Sequence, residues 1–138
     1  MYNLLIYLAG LCLLAIAFAN FFAPRVLRYR ENLALVSPIV RQIFLVHCAY
    51  IVLVLCGQAA LCFVFPEELA GRSVLGRSLS GFFALFWLTR FVLQGWYYDR
   101  GAKGEFPRFN LLFLAAFLFL GCVFAVLALR APLQPIQS

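Results

Sequence analysis

The sequence predicts an all-α integral membrane protein, a four-helix bundle running up-down-up-down with both termini on the non-cytoplasmic side. Three observations carry that prediction. The chain of 138 residues is 66% hydrophobic and 12% charged, whereas soluble domains run near about 45–50% apolar and about 25% charged. Its apolar residues fall into four runs of about 20, each enough to cross roughly 30 Å of hydrocarbon at about 1.5 Å per residue. Its basic residues gather in short connections beside those runs. The net charge of +6 therefore reads as topology and attraction to anionic headgroups, and no nucleic-acid pattern accompanies it.

The first span covers 2–23. No Lys or Arg precedes it, so it lacks the positive start of a secretory signal even though Ala17-Phe18-Ala19 resembles a cleavage site. It is expected to remain as a transmembrane helix, stopped by Pro24. The loop at 24–37 intersperses Arg25, Arg28, Arg30 and Glu31 with Val26, Leu27, Leu33 and Leu35. That pattern suits either a short amphipathic segment at the headgroups or an ordinary juxtamembrane loop.

Ser37-Pro38 reads as a helix cap with proline at the first helical position, opening the second span at 39–65. Pro66 with Glu67 and Glu68 predicts a one-turn helix ended by Gly71, inside a loop that reaches residue 78. The third span, 79–98, ends in Trp96, Tyr97 and Tyr98, an interfacial aromatic belt. A loop at 99–109 leads to the fourth span, 110–129, where Gly121 and Ala125 form one small-xxx-small pair. Such a pair serves a close helix contact, within the chain or in a homo-oligomer.

Orientation follows from the loop charges. Arg25, Arg28, Arg30, Arg41, Arg100, Lys103 and Arg108 lie on one side, against Arg72, Arg77 and Arg130 on the other. The richer side is the cytoplasmic one. The location implied is the plasma or inner membrane.

Arg90 lies inside the third span. A cation there costs roughly 2.5–3.5 kcal/mol on insertion scales, so it is functional, paired or snorkelling. At about 100° per residue, Trp87, Arg90, Gln94 and Tyr97 share a face within about 80°, as do His47, Tyr50 and Gln58 on the second span. If those spans pack directly, His47 falls level with Gln94 and Tyr50 with Arg90, giving a polar seam. All acidic residues, Glu31, Glu67, Glu68, Asp99 and Glu105, lie in loops.

Other chemistry finds little footing. Cys12, Cys48, Cys56, Cys62 and Cys122 all sit in apolar runs and form no CxxC, so they read as small packing residues. His47 is the only histidine. It leaves a haem open only if shared between two chains or ligated once, and it has no neighbouring acid and no nucleophile at matching depth except Cys48, which points about 100° away. The reading assigns no catalytic residue, metal or cofactor.

The function expected is a structural or accessory role, as a subunit of a larger membrane complex, with the lipid bilayer and other membrane proteins as partners. Two alternatives stay open. One is a lipid- or quinone-binding module anchored by Arg90, with His47, Tyr50, Gln94, Tyr97, Trp87 and Gln58 around it. The other is an oligomeric anion transporter.

Overall fold

A computed structural model describes residues 1–71, 73–97 and 107–130. Among these residues there is no strand. Helix α1 spans Tyr2–Val26, α2 Tyr29–Asn32, α3 Pro38–Val64, α4 Pro66–Ala70, α5 Val74–Val92 and α6 Pro107–Leu129. A 3-10 turn at Leu33–Leu35 precedes α3, and α5 runs on into a π turn at Leu93–Tyr97. Helices α1, α3 and α6 are long and apolar enough to cross a membrane. In lipid no water satisfies an open backbone, so long uninterrupted helices are the form such runs must take. Helix α5 is a fourth long helix, made less apolar by Arg77 and Arg90.

Some limits differ from the sequence reading. Pro24 does not stop α1, which continues through it to Val26. Proline removes one donor, and so near a helix end it breaks a single rung. The next one holds, with Leu27 N–H donating to Ala23 O at 2.9 Å. The third helix also starts earlier, at Val74, because Ser73 caps it by accepting from Gly76 N–H at 3.0 Å. The loop 99–109 falls outside the described residues apart from 107–109, which begin α6. Tyr98 and Arg72 also lie outside them.

The long helices form two antiparallel hairpins, α1 with α3 and α5 with α6. Tyr7 near the start of α1 stacks on Phe63 near the end of α3, and Tyr29 on α2, just past α1, meets Phe44 near the start of α3, so the first pair runs in opposite directions. In the second, Gly121 leaves only enough room for Leu88, whose Cδ2 would stand 2.6 Å from an added Cβ. The small-xxx-small pair thus serves packing within the chain. Helix α4 lies across one end, touching α1, α3 and α5.

Among the described residues, every buried side chain belongs to the half of the bundle nearest α4. The buried positions are Ile6, Ala9, Gly10, Leu13, Ile16 and Ala17 on α1, and Leu55, Gln58, Ala59 and Cys62 on α3. On α5 they are Gly76, Ser80, Phe83, Ala84 and Trp87, and α6 adds its own from 117 to 127. Spacings of three and four place each set on one stripe. Small residues within the stripes let backbones approach, which is what drives helix association where lipid is as apolar as leucine. The other half holds 18–26, 38–54, 88–97 and 107–116. No residue described there is buried.

Arginines tie the packed end together. Arg77 Nε donates to Ala128 O at 3.1 Å. Arg130 donates to Ala70 O and lies over the Tyr2 ring at 3.7 Å. Both satisfy carbonyls that a helix end leaves open.

Candidate functional site

Arg90 sits in the last turn of α5, half-buried, at the boundary between the two halves. Its guanidinium carbon lies 5.4 Å from the centre of the Phe117 ring on α6. A cation held against an aromatic face gains about 0.5–2 kcal/mol, more as water is excluded. The same Phe117 ring stacks on Trp87 at 5.4 Å, so one aromatic surface carries both the indole and the cation.

Trp87, 2% exposed, donates its indole N–H to Gln58 Oε1 at 3.0 Å, and Gln58 is 4% exposed. This bond is a polar link between α3 and α5. It lies about one turn from the level that the expected seam required. Gln94, in the π turn, donates to Asn110 on α6 at 2.8 Å rather than meeting His47. The wider π turn is common where a helix must re-aim a side chain at a functional position.

His47 and Tyr50 are exposed and stand against neither Arg90 nor Gln94. His47 Nδ1 is bonded to Ile43 O of its own helix at 2.8 Å, and Tyr50 is 62% exposed. Tyr97 closes the π turn, and its side chain lies outside the described residues. The expected seam is therefore split into a Gln58–Trp87 link and an Arg90–Phe117–Gln94–Asn110 cluster. The physical reason is α4. Pro66 starts it and Leu69 buries itself in the core, placing a helical turn between the end of α3 and the start of α5. Helix α3 then packs on α1 rather than along α5.

Asn110, the partner of Gln94, and Thr89, beside Arg90, are polar residues that the sequence reading did not single out. The available signal for Asn110 was its position as the one polar residue opening an apolar run, opposite Gln94 across the hairpin. Thr89 lay beside Arg90 with no partner pattern to mark it. Among the described residues, no three His, Cys, Asp or Glu side chains converge as metal ligands would. The five cysteines are free thiols. Comparison with known protein families, curated proteins and solved structures finds no match to this chain.

Proposed function

We propose that this chain is an accessory multi-pass membrane protein whose open half receives a helix of another membrane protein. In this reading α5 is a fourth span, both chain ends lie on the non-cytoplasmic side, and the open half faces the cytoplasmic leaflet of a plasma or inner membrane. The observation that carries the proposal is the location of the polar span residues. His47, Tyr50, Arg90, Gln94 and Asn110 all lie where no side chain is buried, while the opposite half is closed. Polar side chains facing hydrocarbon are costly, and interhelical hydrogen bonds are one way membrane helices recover that cost. His47 and Tyr50 sit on the lipid-facing side of α3, where a partner helix would supply the missing contacts.

A photo-crosslinking amino acid placed at Tyr50 and, separately, at Leu14 tests the reading in native membranes. The two positions are 62% and 43% exposed, so lipid access alone does not separate them. Protein adducts are expected from position 50 and not from 14. Lipid adducts alone from both would overturn the accessory role.

A further inference from the structure

The connection between α1 and α3 is folded without a core of its own. Arg28 takes a left-handed backbone conformation, φ 48° and ψ 48°, which turns the chain out of α1 and into α2. Asn32 Nδ2 donates back to Leu27 O at 2.8 Å, and the Tyr29 ring meets Phe44 edge-on at 5.1 Å. These contacts hold the turn against the start of α3, yet no residue from 18 to 54 is buried.

The surface of this connection is of two kinds. Val26, Leu27, Leu35 and Val36 are exposed, Leu35 by 93%. Among them stand Arg25, Arg28, Arg30 and Arg41, with Glu31 the only acid from 24 to 42. Arg25 lies over the Phe22 ring, and Arg28 is 3.7 Å from Glu31 across open surface, where water screens the pair. Arg30 and Arg41 are exposed too, and make no ion pair, ring contact or side-chain hydrogen bond among the described residues.

Helices α1 and α3, of 25 and 27 residues, exceed the roughly 20 that cross the hydrocarbon, so the segment joining them meets the headgroup layer. Exposed apolar side chains settle at the acyl boundary of that layer, and clustered arginines attract acidic headgroups. A guanidinium also forks onto phosphate oxygens with paired N–H donors. We infer that the connection from Arg25 to Arg41 docks on anionic phospholipid headgroups, with Arg30 and Arg41 taking phosphates and Leu35 reaching the acyl boundary. The inference goes beyond the accessory reading: it concerns a connection and lipid, not the middle of α3 and a protein partner. It holds for either leaflet, and either reading can fail alone.

Native mass spectrometry of the full chain tests it, with equal amounts of phosphatidylglycerol and phosphatidylcholine of matched chains. Wild type is expected to retain phosphatidylglycerol in preference. Arg30→Gln with Arg41→Gln should lower that preference by about fivefold or more, the effect of one basic residue near an anionic surface. Arg30→Lys with Arg41→Lys should keep it. The depth of position 35 is read separately, in vesicles of the same lipids carrying bromine on the acyl chain close to the headgroup. Leu35→Trp should add emission that these lipids quench, beyond what Trp87 and Trp96 show in wild type. Equal retention of the two lipids by wild type, an unchanged preference in the Gln pair, an equal loss in the Lys pair, or unquenched emission from position 35 each overturns the inference.

Discussion

Near α4, the helices meet through Ala9, Gly10 and Ala17 on α1, Ala59 on α3, Gly76, Ser80 and Ala84 on α5, and Gly121 on α6. Toward the basic loops, α3 instead presents Ile43, Phe44, Leu45, Val46, Ile51 and Leu53, all exposed. Both regions are apolar, so hydrophobicity does not explain why one closes and the other opens. Lipid satisfies an apolar side chain as well as a protein neighbour does. Close packing between membrane helices depends on small residues and polar links. The packed half has small residues buried at its helix contacts and the Gln58–Trp87 bond, whereas the small residues of the open half, Ala19, Ala23, Ala49, Gly95, Ala115 and Ala116, stay unburied. The open half has links within one hairpin, as at Gln94–Asn110, and none described that draws α3 to α5.

Truncation should separate the halves most sharply. Phe124→Ala removes a fully buried ring that meets Phe83 edge-on. In water such a change costs about 3–5 kcal/mol, and with lipid supplying part of the transfer term about 2–4 kcal/mol remains. Leu111→Ala, at a position 70% exposed, should cost almost nothing by the same denaturant titration in mixed micelles. Equal losses would end the distinction between the halves.

A glycine pair gives a smaller contrast. A Cβ on Gly76 would meet the Glu68 carbonyl oxygen, a backbone atom that cannot turn aside, whereas one on Gly57 would meet nothing within 4 Å. Gly76→Ala should lose about 1–3 kcal/mol and shift the thermal midpoint in detergent, with Gly57→Ala unchanged or slightly stabilised.

Polar links supply the smallest effect. Gln58→Leu leaves the Trp87 indole N–H without its acceptor and should cost about 0.6–1.7 kcal/mol, read by the same titration. Tyr50→Phe should leave stability within about 0.5 kcal/mol. A loss at Tyr50 as large as at Gln58 would mean that the open half is closed in the membrane by the chain itself.

Much of the local structure was legible in the sequence. Ser37-Pro38 marked the start of α3, Pro66-Glu67-Glu68 the short α4, and Gly71 its end, because caps and proline act within a turn. The start of α5 at Val74 lies ahead of the apolar run, since its first turns carry Arg77 and Ser78, and Ser73 was the mark for it. Helical periodicity correctly grouped Gln58 with the face of α3 that reaches Trp87. It could not say which helix that face would meet, or that the face would stay covered only at one end. His47 and Gln58 share a stripe, yet one is exposed and the other buried. Depth along a helix and splay between helices are set by tertiary packing, to which a one-dimensional period is blind.

The hold of Arg130 on Ala70 and on Tyr2 also has a meaning in time. It joins the final described turn of the polypeptide to its first turn and to its middle. As the chain emerges, α1 and α3 can pair early, but Phe83, Ser80 and Trp87 wait on α6 for their cover. The packed end can therefore close around Phe83 and Trp87 only once α6, the last of the described helices, is in place.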